Sequence, residues 1–118
     1  MRREKVLFVV HEKTAERWER GESIQSITQR DRINARRLLK KLRTAKPKYH
    51  RTIQFEDDPW VTDSHDTSGV SWGKIASGLR DCLVDVAGMR RSVCVRRVVD
   101  ELNSHGVRAR FNFRLTID

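Results

Sequence analysis

VLFVV, residues 6–10, is the longest uninterrupted run of aliphatic and aromatic residues in the chain. Its β-branched content and polar flanks predict a strand that is buried on both faces, because such runs suit the middle of a sheet. The run is too short to cross a bilayer, which needs about 20 residues, and too short for the apolar part of a secretory signal. We therefore expect a cytoplasmic protein with this strand in its core and no membrane partner.

The second half of the chain predicts two helices and one further strand. Over residues 107–117 apolar and polar residues alternate, which is the pattern of a strand with one buried face. A short alternation at 53–55 predicts another strand. Apolar residues at spacings of three and four over 72–86, and again over 95–102, predict two amphipathic helices. Residues 71–118 are therefore expected to form a helix, a helix and a strand.

Length and composition indicate one folded unit. The chain has 118 residues, of which 37% are hydrophobic and 35% are charged. One domain of ordinary size accounts for this length, and the composition is that of a water-soluble protein. We predict a small single α+β domain over residues 1–118, in which the helices cover one face of a short sheet.

The charge of the chain is concentrated in its first half. Residues 1–54 hold 16 Lys and Arg against six Asp and Glu, whereas residues 55–87 hold two against seven. The whole chain carries a formal net charge of +9. A domain this basic has nucleic acid as its default partner, because contacts to phosphates release condensed counterions.

The basic half contains a recognisable helical pattern. We predict short helices over 14–20 and 23–30, and a third helix that begins at Asn34 and hides Leu38 and Leu42. Residues 15–43 read AERWERGESIQSITQRDRINARRLLKKLR. This segment resembles the helix-turn-helix DNA-binding motif, and we assign the wider range 15–46 to it. Ile33 and Asn34 stand at the position of the turn.

The resemblance implies a set of DNA contacts on the third helix. A recognition helix hides one apolar stripe and exposes the opposite face to phosphates and base edges. By this resemblance the start of the helix approaches the bases through Asn34, Ala35 and Arg36. The cations that surround the stripe and follow it contact the DNA, mostly through its backbone: Arg37, Lys40, Lys41, Arg43, Lys46 and Lys48. The alternative is a solvated, arginine-rich helix on the surface of an α+β domain.

Two further functions remain open at this point. The loop at 56–70 is acidic, and oxygen and imidazole ligands of a magnesium-type ion would make the protein a nuclease. Its candidate ligands are Asp57, Asp58, Asp63, His65 and Asp66. Alternatively, the basic face docks an acidic protein, as an inhibitor or adaptor would.

The cysteines and histidines suggest no catalytic centre. Cys82 and Cys94 lack close-spaced partners, so we interpret both as small core residues. His11 likewise has no partner at a recognisable spacing and is expected at a strand end. We therefore expect no catalytic residue, no metal and no cofactor.

The sequence favours a non-catalytic protein that binds double-stranded DNA, with RNA as an open alternative. A homodimer would raise affinity, because one recognition helix buries little surface. Small size and basicity suggest a regulator or accessory factor from a phage or mobile element.

Overall fold

The structure is a computed structural model that describes residues 3–22, 26–56 and 70–117. Helices and strands alternate along most of the chain. In chain order the elements are β1 (Glu4–Val10), α1 (Glu12–Glu19), α2 (Gln29–Ala45), a 3₁₀ turn (Lys46–Lys48), β2 (Arg51–Phe55), α3 (Trp72–Ser77), β3 (Cys82–Met89), a π-helical turn (Arg91–Val95), α4 (Arg96–Ser104) and β4 (Arg108–Ile117). Helices and a sheet occur in one unit, so the expected α+β class is confirmed.

All four strands are parallel and lie in the order β2-β1-β3-β4. β1 is therefore an inner strand, and residues 6–10 are fully buried, as predicted. The expected strands at 53–55 and 107–117 are also present, as β2 and β4. The alternation of β4 is interrupted by a register shift against β3 between Val86 and Gly88.

The helices cover both faces of the sheet, so the expectation that they cover one face is wrong. Val6, Phe8 and Val10 point to a core formed with α3 and α4, whereas Leu7 and Val9 point to a core formed with α1 and α2. From β1 the chain crosses to β2, at one edge of the sheet. From β2 it crosses back past β1 to β3, and from there to β4 at the opposite edge. Because parallel crossovers are right-handed, connections that run in opposite directions lie on opposite faces.

The predicted long helix over 72–86 is wrong in its second half. α3 ends at Ser77, and β3 begins at Cys82. Residues 71–118 therefore form helix, strand, helix and strand. The apolar residues of β3 repeat by coincidence at helical spacings, but their β-branched run pairs with β1 over seven positions. Tertiary pairing of this kind overrides a short periodicity signal.

The predicted helices over 23–30 and from Asn34 are also corrected, because one helix covers residues 29–45. The backbone of Ser26 to Thr28 is not helical, and Ser23 to Gln25 lie outside the described residues. Thr28 and Asp31 form a capping box: the Asp31 N–H donates to Thr28 Oγ1 (3.1 Å), and the Thr28 N–H donates to Asp31 Oδ2 (2.8 Å). This cap starts the helix before the expected turn at Ile33 and Asn34, so that turn is absent.

Gly88 is required where β3 lies against β1. Its φ of +124° is open to glycine, and a Cβ atom there would lie 2.0 Å from the carbonyl oxygen of Val10. Gly106 also has a positive φ, of +85°, but a Cβ atom there would meet nothing within 4 Å. The two glycines therefore share a backbone requirement and differ in the space around them.

We expect Gly88→Ala to lower the free energy of unfolding by about 3 kcal/mol or more, because strain and a backbone clash add together. Gly106→Ala, which has the strain alone, should cost about 1 kcal/mol. Urea denaturation followed by circular dichroism measures both. Equal losses would show that the close approach of β3 to β1 does not matter.

Candidate nucleic-acid interface and the carboxyl edge of the sheet

The outward face of α2 is cationic. Leu38 and Leu42 are buried against the sheet. The residues around this stripe are exposed to solvent: Arg36, Arg37, Lys40, Lys41 and Arg43. Within the part of the chain that the structure describes, these side chains make no ion pair, except Arg36. We define these five exposed side chains as the α2 cationic face.

Two of the residues expected to contact bases lie elsewhere. Ala35 is fully buried, so its prediction as a base contact is wrong. Asn34 is half-buried within α2 and does not cap a helix. The reason is the early start of the helix at Gln29. Ala35 comes three residues before Leu38 and therefore lies on the inner face of the helix.

Three cations of the predicted set differ in their surroundings. Arg36 Nε lies 3.7 Å from Glu19 Oε1, and both side chains are well exposed. Such a pair contributes about 0–1 kcal/mol, so Arg36 remains accessible to another anion. Lys46 instead forms an ion pair with the buried carboxylate of Glu12, which removes it from the predicted contact set. Lys48 is exposed in the 3₁₀ turn that follows α2.

A second group of polar side chains lies at the carboxyl ends of the strands. His11 follows β1, Glu56 follows β2, and Cys94 lies in the π-helical turn after β3. Because the carboxyl ends of parallel strands meet at one edge, the fold brings these residues together. The chain leaves β1 and β3 in opposite directions, and a crevice at such a point is the usual ligand site of open parallel sheets.

His11 is the centre of this group. Its ring is almost fully buried, and its Nδ1 lies 3.5 Å from Glu56 Oε2, which is an ion-pair distance. The Cys94 side chain lies near enough to the ring to act on its ionisation. Burial lowers the pKa of His11, but Cys94 and Glu56 together outweigh it and raise the pKa to about 9. The ring is therefore protonated at neutral pH.

Glu56 is held by the first turn of α1. Its carboxylate accepts hydrogen bonds from the Lys13 N–H (2.5 Å) and the Thr14 hydroxyl (3.4 Å). The unpaired N–H groups at a helix N-terminus favour a carboxylate in this position. His11 itself has a left-handed backbone, with φ of 62°, and its N–H donates to the Phe55 carbonyl oxygen at 2.9 Å. Backbone bonds on both sides therefore fix the geometry of the pair.

This group was not predicted from the sequence. Cys94 is buried, as expected of a core residue, but its position beside His11 was not expected. The sequence feature that could have predicted it is the position of each of these residues after a strand. That signal was lost because β3 was predicted to be helical.

The proposed metal ligands of the acidic loop, Asp57, Asp58, Asp63, His65 and Asp66, lie outside the described residues. Within the part of the chain that the structure describes, no group of His, Cys, Asp and Glu is suited to hold a metal ion. No helix among the described residues is both long enough and apolar enough to span a bilayer.

Comparison with known proteins yields no relative: no family model, no curated protein and no solved structure matches the chain.

The raised pKa of His11 predicts a pH-dependent stability. The protonated ring stabilises the fold fully below its unfolded pKa of about 6.5, and this contribution is lost as the pH rises through 9. We expect the free energy of unfolding of the wild type to exceed that of His11→Asn by a margin that shrinks on the order of 3 kcal/mol between pH 6 and pH 10. Asn suits the left-handed backbone. Urea denaturation of both proteins measures the margin, and a constant margin would contradict the assigned ion pair.

Proposed function

We propose that the protein binds double-stranded DNA through the α2 cationic face. The observation that carries this proposal is the row of exposed cations with no ion pair to the described residues: Arg37, Lys40, Lys41 and Arg43. Phosphate groups are the partners that such a row fits, since each neutralised phosphate releases counterions.

The spacing of the cations supports a function beyond solubility. Arg36 and Lys40, and likewise Arg37 and Lys41, are four residues apart on one helix. Like charges at this spacing destabilise a helix by roughly 0.2–0.5 kcal/mol per pair. A bound polyanion removes this repulsion, because a phosphate that lies between the two cations of a pair neutralises both charges.

The rigid support of α2 also favours this function. Leu38 and Leu42 anchor it to the sheet, and the Thr28–Asp31 capping box fixes its start. A helix held in this way presents its cations without a cost for ordering the backbone at binding. Recognition of base edges stays a prediction that rests on Arg36 and its outward neighbours.

The test is a binding titration against duplex DNA, single-stranded DNA and duplex RNA at two salt concentrations. The variant replaces Arg37, Lys40 and Lys41 with Gln. Each lost phosphate contact should make the slope of log K against log salt shallower by about 0.9, so we expect a change of roughly 2 to 3 for duplex DNA.

A second triple variant controls for net charge. Arg80, Arg96 and Arg108 are exposed and lie outside α2, and their replacement with Gln removes the same charge. We expect this variant to keep the wild-type slope. If both variants weaken DNA binding equally, the effect is one of net charge alone. If the wild type does not bind nucleic acid at about 50 mM salt, the protein-docking alternative is favoured. A preference for RNA would replace DNA as the partner.

We infer a second candidate function, nucleophilic chemistry at the Cys94 thiol. The specific observation is the meeting of His11 and Cys94 at the carboxyl ends of β1 and β3, with Glu56 Oε2 lying 3.5 Å from His11 Nδ1. A histidine beside a cysteine is a recurring arrangement for nucleophilic catalysis by the sulfur. A third group that orients the imidazole is the usual companion of such a pair.

Alkylation rates test this second function. Cys82 and Cys94 have the same 6% relative exposure, so Cys82 serves as the reference for access. At pH 7 we expect His11→Asn to slow the reaction of Cys94 with iodoacetamide at least ten-fold and to leave Cys82 unchanged, as measured by peptide mass spectrometry. If the rate of Cys94 is the same in both proteins, His11 does not activate the thiol.

A further inference from the structure

A groove of about 360 Å³ lies beside α2 on the same face of the sheet. It lies over the amino-terminal half of β3 and the middle of β4. Its polar and charged lining consists of Lys5, Lys48, Tyr49, Asp85, Arg110, Asn112 and Arg114. Small-molecule sites have volumes of about 300–1,000 Å³, so the groove has room for one small ligand.

A buried carboxylate organises the groove. Asp85 is 8% exposed, although it lies on a sheet face whose neighbouring residues on β1 and β3 are apolar. Its Oδ1 accepts a hydrogen bond from Arg110 Nε (2.6 Å), and its Oδ2 accepts one from the Tyr49 hydroxyl (2.5 Å). Asn112 Nδ2 donates to the Tyr49 oxygen at 3.3 Å. Burial, followed by the hydrogen bond to Asp85, raises the pKa of Tyr49 to about 12, so the hydroxyl stays protonated and keeps donating.

This network holds a guanidinium at the mouth of the groove. Arg110 is anchored through Nε, while its side chain remains 81% exposed. The planar guanidinium directs its two terminal nitrogens away from that bond, in a fork that matches phosphate and carboxylate oxygens. An arginine fixed in advance loses little rotamer freedom when it binds an anion.

Charge and shape define the ligand class. The lining contributes four cationic side chains, Lys5, Lys48, Arg110 and Arg114, against the single carboxylate of Asp85. The remaining lining residues, Ala45, Leu83 and Leu115, are apolar. Leu83 is 39% exposed, which is unusual for a leucine in the inner strand of a sheet. A ligand with a flat apolar ring would cover this leucine, and an anionic group attached to the ring would reach the cations.

We propose that this groove binds a small anion that carries a flat ring, with the chemistry of a nucleoside monophosphate. The anionic group lies against Arg110, Arg114 and Lys48, and the ring lies on Leu83 and Leu115. The proposal does not depend on DNA binding by the α2 cationic face, because the two surfaces use different residues.

The test is a titration of ¹⁵N-labelled protein with adenosine 5′-monophosphate, followed by NMR. We expect saturable shifts of the Asn112 side-chain amide and of the backbone amides of residues 83–85 and 110–114. Adenosine and inorganic phosphate, which each lack one half of the probe, should bind at least ten-fold more weakly. Absence of saturable shifts in the groove overturns the proposal, and equal affinity for phosphate alone overturns the ring site.

Variants separate the groove from α2. Lys48→Gln and Arg114→Gln remove exposed cations that make no ion pair with the described residues, so we expect folded proteins with at least five-fold weaker binding of the monophosphate each. Arg108→Gln lies on the same strand but outside the groove lining and should bind as the wild type does. The Arg37, Lys40 and Lys41 triple variant should bind DNA more weakly and bind the monophosphate as the wild type does. Unchanged affinity in both groove variants overturns the proposal.

Discussion

The close pairing of β1 with β3 is the constraint on which the rest of the structure depends. Val10 lies opposite Gly88, and the approach of the two backbones leaves no room for a Cβ atom. This pairing places the apolar run of β1 inside the sheet, where both of its faces need cover. The helices before and after β2 supply that cover from opposite sides. The approach of His11 to Cys94 at the carboxyl edge is a consequence of the same change of direction.

The cations of the chain differ in whether they pair with a buried carboxylate or lie exposed on α2. Glu12 and Asp85 are the buried acids of the described core, and each is matched by a cation at its edge, Lys46 or Arg110. Removing a charge from water costs several kcal/mol unless a partner compensates for it, so Lys46 and the Nε of Arg110 are committed to the fold, while the rest of the Arg110 guanidinium stays exposed. The α2 cationic face makes no such contribution, since exposed charges contribute little to stability. Net charge alone therefore overstates the surface that is available to a polyanion.

The three surfaces that we propose as sites occupy different parts of one sheet. The α2 cationic face and the groove beside β4 share a face, and Lys48 lies between them at the end of the helix. The pair of His11 and Cys94 lies at the carboxyl edge, where the crossovers diverge. A convex row of cations suits an extended polyanion, and a groove with an anchored arginine suits a small anion. A thiol beside an imidazole suits nucleophilic catalysis. Each surface thus follows from its own local geometry.

The sequence by itself determined the strands at 6–10, 53–55 and 107–117, the basic amphipathic helix and the burial of Leu38 and Leu42. Local periodicity and composition carry this information, because they report which face of an element avoids water. Only the tertiary structure decided that residues 82–89 form a strand, since the spacing of their apolar residues fits a helix equally well and pairing with β1 selects between the two. It also decided the burial of Ala35 and the approach of Cys94 to His11. Contacts between residues that are distant along the chain leave no periodic trace, so no local pattern could have specified them.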